Sequence, residues 1–312
     1  MDLSVVIPLY NERDNLGPLH RELAATLDAL GRSYELLFID DGSSDGSIEE
    51  LRRLKAADGH IRVIRLARNS GQTAALACGF QHATGDCVVA IDGDGENDPA
   101  DIPRLLARLD EGYDLVSGWR VGRWRDSPLL RRWPSIAANQ LISRFTGVPL
   151  HDYGCTLKAY RGPLARQLML YGEMHRFVPA IAAELGAQIA EVEVGFRPRR
   201  WGRSKYGAGR ILRTFLDLIT VRFLSGYSTR PIQVFGTIGI VLAMLGGLWT
   251  GVLVFEKVIL GHPLAARPAL LLAVLLLVVG VQFVSLGLLG EMLTRTYHET
   301  QHKPIYVVKE EF

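Results

Sequence analysis

Gly85-Asp86-Cys87-Val88-Val89-Ala90-Ile91-Asp92-Gly93-Asp94-Gly95-Glu96-Asn97-Asp98-Pro99 is the stretch on which the fold turns. Its first half is short, apolar and β-branched, with glycine before it, and this predicts a buried strand over 86–91. The strand then delivers Asp92, Asp94, Glu96 and Asp98 in quick succession. Gly93 and Gly95 let the backbone turn sharply between these acids. Asp98-Pro99 reads as the cap and first residue of the following helix. Acids crowded at one strand end repel one another unless a cation lies among them. Hard oxygen ligands with room for water suit Mg²⁺ or Mn²⁺, and such an ion usually arrives with a diphosphate. A solvated acidic turn is the alternative.

Working outward, the same alternation recurs on both sides. Upstream, strands are expected at 3–8, 34–39 and 61–66. Helices are expected over 15–30, with Leu16, Leu19, Leu23 and Leu27 in register, over 46–57, and from Asn69-Ser70-Gly71-Gln72 through Ala83. Downstream come a helix over 99–111 and a strand over 113–118, then a helix near 177–187 and a strand near 189–194. Strands separated by helices imply an α/β fold with a mostly parallel sheet and right-handed crossovers. Ligands of such sheets bind beyond the carboxyl ends of the strands. The polar clusters at 10–12, 40–47 and 92–98 all fall at that edge, whereas unrelated solvated turns would have no reason to share it.

Composition narrows the function. Lys and Arg number 35 against 33 Asp and Glu in 312 residues, so there is no nucleic-acid signature. Cys78, Cys87 and Cys155 are too few and too apolar in context for a disulfide or zinc framework, and they read as core residues in a reducing compartment. Met1-Asp2-Leu3-Ser4 runs directly into a strand, so no signal peptide is expected.

The last third is different in character. Residues 210–224 are amphipathic, as suits a helix lying in a membrane interface. Uncharged runs at about 232–255 and 268–290 are each long enough to cross about 30 Å of hydrocarbon. Basic residues crowd Arg197 to Arg230, while the short loop has only Lys257 and Arg267. The positive-inside rule therefore puts the large domain and the tail in the cytoplasm. The expected divisions are a catalytic domain at 1–209, an interfacial helix at 210–230, a two-helix transmembrane hairpin at 231–291 and a cytoplasmic tail at 292–312.

Val6-Ile7-Pro8-Leu9-Tyr10-Asn11-Glu12, Asp40-Asp41-Gly42-Ser43-Ser44-Asp45-Gly46 and Asp92-Gly93-Asp94, in this order and spacing, resemble glycosyltransferase family 2. Asp152-Tyr153-Gly154-Cys155, Lys158-Ala159-Tyr160-Arg161 and Gly202-Arg203-Ser204-Lys205-Tyr206, with the paired C-terminal runs, look like its polyprenyl-phosphate glycosyltransferases. The resemblance covers essentially the whole chain. It implies a GT-A nucleotide-sugar fold and inverting, metal-dependent transfer of one sugar from a nucleotide diphosphate to a polyprenyl phosphate at the cytoplasmic face; some members are tetramers. Many relatives have Gln where this chain has Glu96, which makes the site more acidic and leaves open whether position 96 binds the metal.

The resemblance distributes roles. Pro8, Tyr10, Glu12 and Asp41 would hold the nucleoside, since carboxylates accept from base imino and ribose hydroxyl groups. Gly71 and Gln72 open a helix whose N-terminus would approach phosphate, with an ordinary turn as the alternative. Asp92 would face ribose or donor sugar, and Asp94 with Glu96 would bind Mg²⁺ or Mn²⁺. The chemistry of an anionic phosphate acceptor adds that one or two of Arg120, Arg123, Arg131 and Arg132 would grip it, with Asp152 orienting a neighbour or the donor sugar. Arg203, Ser204 and Lys205 would grip diphosphate or lipid phosphate from a mobile loop. Two other functions compete. A processive polysaccharide synthase carries Gln-x-x-Arg-Trp, which neither Arg132-Trp133 nor Arg200-Trp201 completes. A non-catalytic lipid-carrier scaffold would not need Asp92, Asp94 and Asp152 together.

Overall fold

The computed structural model describes residues 1–121, 139–140, 142–144, 146–172, 174–198 and 305–312, with single positions between 278 and 296. The chain divides into two compact units. One comprises Met1–Asp217 with Pro304–Phe312, the other Leu218–Lys303.

The first unit opens with the expected alternation. β1 (Leu3–Leu9), β2 (Tyr34–Asp40), β3 (Ile61–Leu66) and β4 (Cys87–Ala90) are separated by α1 (Arg13–Asp28), α2 (Ser47–Ala57) and α3 (Gln72–His82). β1 pairs in parallel with both β2 and β4, and β2 with β3. Every residue of β1, β2 and β4 is buried, as their largely apolar runs predict for strands covered on both faces. α1 turns Leu16, Leu19, Leu23 and Leu27 into the core at the spacing read from the sequence. Asp98 accepts from the Ala100 N–H at 3.0 Å and caps a 3₁₀ turn, Pro99–Asp101, that runs into α4 (Ile102–Asp110).

Beyond α4 the sheet departs from simple alternation. β5 (Leu115–Arg120) does not lie beside β4. β6 (Lys158–Arg161) runs antiparallel between them, paired with both. α5 (Gly162–Gln167) and α6 (Val178–Glu184) follow, and β7 (Ile189–Val194) pairs in parallel with β5. The largest difference is at the tail. β8 (Val308–Glu311) adds to the free edge of β3 in antiparallel register, so these residues belong to the sheet. The order is β7-β5-β6-β4-β1-β2-β3-β8, a mixed, GT-A-like sheet flanked by helices.

In the second unit the described residues are helical. Among the described residues no helix is long and apolar enough to cross a membrane. The interfacial helix at 210–230 lies outside the described residues, as does the hairpin at 231–291 apart from single positions. The cysteines Cys78, Cys87 and Cys155 are free and buried, as expected of core residues.

One ionic junction fastens α1 to the turn between α2 and β3. Asp58 bonds His20 Nε2 at 2.7 Å and His60 Nδ1 at 2.8 Å and accepts from the His60 N–H at 2.9 Å. Burial acts to raise its pKa, but these bonds outweigh that and bring it down to about 2. A folded-state pKa below the unfolded value stabilises above about pH 4 and loses that stability as pH falls toward 2. Asp58→Asn is therefore expected to cost roughly 2 kcal/mol at neutral pH and nearly nothing at pH 2. Urea midpoints measured across that range read the difference directly.

Candidate active site

The turn after β1 and the turn after β2 are clasped together at the carboxyl edge. Asn11 takes a left-handed conformation (φ 54°), which asparagine tolerates. Its backbone N–H donates to Ser43 Oγ at 2.8 Å, and its Oδ1 accepts from the Ser44 N–H at 2.8 Å. Glu12 accepts from Asn15 Nδ2 at 2.6 Å. Gly42 has φ +73°, and a Cβ there would lie 2.8 Å from the Arg68 carbonyl carbon, so only glycine lets this turn lie against residues 68–69.

Asp41 then reaches the start of α3. Its two oxygens accept from the Ser70 N–H at 2.7 Å and the Gly71 N–H at 2.9 Å. Burial raises its pKa; these N–H groups act in the other direction. The next residue, Gln72, donates through Nε2 to Asp92 Oδ1 at 2.7 Å. Thr156 Oγ1 donates to Asp92 Oδ2 at 2.7 Å. Asp92 is thus fixed from both sides, by the helix on one and by the segment before β6 on the other. Asp94 is buried, and its Oδ1 accepts from the Glu96 N–H at 3.0 Å.

These residues surround one cavity of about 370 Å³. Of the residues proposed from sequence, Pro8, Tyr10, Glu12, Asp41, Gly71, Gln72, Asp92 and Asp94 all line it. Leu9, Asn69, Ala75, Gly93 and His175 line it as well and were not anticipated. His175 comes from a 3₁₀ turn, Met174–Arg176, far along the chain. Arg176 Nε donates to its Nε2 at 3.3 Å, so that nitrogen accepts, and Nδ1, 2.8 Å from Thr73 Oγ1, carries the proton. No local pattern around residue 175 signals this.

A second cluster adjoins the first. Arg120, at the end of β5, is buried and donates to Asp152 through Nε at 2.7 Å and Nη2 at 3.1 Å. Asp152 also accepts from the Gly154 N–H at 3.0 Å. Arg120 Nη1 lies 4.0 Å from Glu96 Oε2. Lys158, buried on β6, donates to the Cys155 carbonyl and so ties down the segment that carries Thr156. Arg123, Arg131, Arg132, Arg203, Ser204 and Lys205 lie outside the described residues.

The electrostatics of the cavity favour a cation. Burial first, and the Asp94 charge second, push the Asp92 carboxyl up to about 7. The nearest arginine is already committed to Asp152. Among the described residues no three His, Cys, Asp or Glu side chains converge as a self-sufficient metal site. The oxygens present fit an ion that takes one or two carboxylates and completes its shell with phosphate and water.

A carboxylate pair at the end of a buried parallel strand, opening on a cavity walled by two neighbouring strand turns, is the architecture of a nucleotide-sugar-using transferase of the GT-A class. Residues 4–168 match the model described as Glycosyl transferase family 2, and the chain belongs to that family. It is a glycosyltransferase. It is 42% identical over 316 residues to dodecaprenyl-phosphate galacturonate synthase of Rhizobium johnstonii, covering 100% of this chain and 93% of that protein. It is 40% identical over 309 residues to undecaprenyl-phosphate 4-deoxy-4-formamido-L-arabinose transferase of Klebsiella pneumoniae, covering 98% and 92%. Among solved structures, glucosyl-3-phosphoglycerate synthase from Mycobacterium tuberculosis in complex with Mn²⁺, uridine diphosphate and phosphoglyceric acid shares the fold. The TM-score is 0.55 at 21% identity, over 72% of this chain and 78% of that one.

Proposed function

We propose that this enzyme transfers one sugar from a nucleotide diphosphate sugar to a polyprenyl phosphate at the cytoplasmic face of the membrane, with inversion at the anomeric carbon. The observation that carries this reading is the end-to-end similarity to relatives named for undecaprenyl and dodecaprenyl phosphate. The cavity beneath Asp92 and Asp94 supplies the donor site for it.

In this reading Tyr10, Glu12 and Asp41 receive the nucleoside, and the start of α3 faces the diphosphate. Asp92, held by Gln72 and Thr156, faces ribose or donor sugar. Mg²⁺ or Mn²⁺, held by Asp94 and Glu96, would neutralise the departing diphosphate. The acceptor needs no general base, because a phosphate monoester is already anionic near pH 7. It needs positive charge to hold it in line with the anomeric carbon. Arg120 is engaged by Asp152 and lies 4.0 Å from Glu96. Gripping the lipid phosphate then falls to Arg123, Arg131 and Arg132, with Arg203, Ser204 and Lys205 on the diphosphate or lipid phosphate.

The test is to incubate the purified full chain with undecaprenyl phosphate and a panel of UDP-sugars and GDP-mannose, with Mg²⁺ or Mn²⁺. The expected product, by mass spectrometry, is the lipid carrying one sugar. Nucleotide release without a lipid product would sink the acceptor assignment, and a polymer would return the processive synthase.

The interfacial helix at 210–230 and the two spans within 231–291 belong to the same proposal. One structural fact supports their even number: β8 folds into the sheet that residues 3–9 begin, so the chain leaves and returns to one side. Cysteines introduced by Arg21→Cys and His262→Cys are expected to label from opposite faces of sealed vesicles. Labelling from the same face would contradict two spans.

A further inference from the structure

The tail strand does more than cover an edge. Phe312 and Val63 exchange two backbone hydrogen bonds, at 2.8 and 3.0 Å, and the Ala67 N–H donates to the Val307 carbonyl at 2.8 Å. Tyr306 is buried and donates to Gln81 on α3. Glu310 receives two arginines: Arg52 Nη2 from α2 at 2.8 Å and Arg65 Nη1 from β3 at 3.1 Å. Arg65 also faces Asp40, its Nε 3.4 Å from Asp40 Oδ2. Asp40 is 0% exposed, and its Oδ2 and Arg65 Nε make no hydrogen bond among the described residues, so they depend on each other electrostatically. The other oxygen of Asp40 accepts from the Ser43 N–H at 3.1 Å and shapes the 40–46 turn. That turn carries Asp41, which anchors the Ser70 and Gly71 N–H groups in the cavity wall.

We propose that the C-terminal strand is a positioning element of the donor cavity, with Glu310 acting through Arg65 on Asp40 and the turn that carries Asp41. This rests on reading the cavity as the nucleotide-sugar site. With Glu310 in place Arg65 is held between two carboxylates and keeps its charge against the buried Asp40. Without it, Arg65 is free to turn toward solvent, and Asp40 is left as an uncompensated buried charge. Coupling of this kind is reciprocal: whatever the tail does for nucleotide affinity, nucleotide does for tail docking.

Three full-length proteins test it: wild type, Glu310→Gln, and Arg52→Gln, which breaks the other bond to Glu310 without touching the Arg65–Asp40 link. UDP and GDP are titrated by calorimetry in the presence of Mn²⁺. Glu310→Gln is expected to weaken the bound nucleotide about fivefold or more, and Arg52→Gln less than about twofold, with similar thermal midpoints for both variants. In wild type, saturating nucleotide is expected to slow hydrogen exchange of the Val63 and Phe312 amides, an effect lost in Glu310→Gln. Equal nucleotide affinity in wild type and Glu310→Gln overturns the inference, as does an equal loss in both variants, which marks a merely structural role. Wild type that binds neither nucleotide overturns the reading of the cavity, and this inference with it.

Discussion

Asp94→Asn is expected to lose about a hundredfold or more in turnover, because the substitution removes anionic charge where a divalent ion would have to sit and leaves shape nearly unchanged. The effect should be confined to chemistry and metal-assisted nucleotide binding. Asp92 and Asp94 repel each other in a buried site, with the Asp92 carboxyl pushed up to about 7 by burial and then by its neighbour. Removing one of the two charges relieves that repulsion, so the variant should unfold at or above the wild-type temperature. Turnover at saturating donor, nucleotide affinity with and without Mn²⁺, and a thermal scan separate these effects. Full activity in Asp94→Asn, or transfer by wild type in excess chelator, would count against the metal assignment.

The second large effect is expected at the Arg120–Asp152 pair, and it falls on both stability and rate. Both groups are buried and joined by two hydrogen bonds. Removing one partner of such a pair typically costs about 3–5 kcal/mol, because the other charge is left without compensation. Asp152→Asn keeps the shape and should still lower the denaturation midpoint measurably, with Glu96 4.0 Å from Arg120 as a weak remaining counter-charge. Turnover should fall with it, since Asp152 also accepts from the Gly154 N–H and so holds the segment that presents Thr156 to Asp92. A pair that only positions its neighbours is not replaceable by a small base. Formate or azide is therefore expected to restore nothing. The double substitution Arg120→Met with Asp152→Leu should recover stability and leave the enzyme inactive. Rescue of Asp152→Asn by a small anion would make Asp152 a general base and end the base-free acceptor mechanism.

The frame and most of the cavity wall were legible in the chain itself. Strands β1, β2 and β4 are largely apolar because both faces are covered, and that burial is written in consecutive residues. The helix between β1 and β2 is written in Leu16, Leu19, Leu23 and Leu27. Once strands and helices alternate, a parallel sheet and its carboxyl edge follow, and Tyr10, Glu12, Asp41, Asp92 and Asp94 must meet there. The tertiary structure alone decided what lies beside what. Lys158–Arg161 and Val308–Glu311 are short and carry charged residues, so they read as a motif and a tail. Each becomes a strand only because distant strands take up its backbone hydrogen bonds, β4 and β5 in the first case and β3 in the second. Thr156 reaches Asp92 across 64 residues, His175 reaches Thr73 across 102, and Glu310 reaches Arg65 across 245. Local periodicity records which face of an element is buried, but not which distant segment buries it. That choice depends on the closure of the whole sheet, and so the partners of Asp92, Arg120 and Asp40 became visible only in three dimensions.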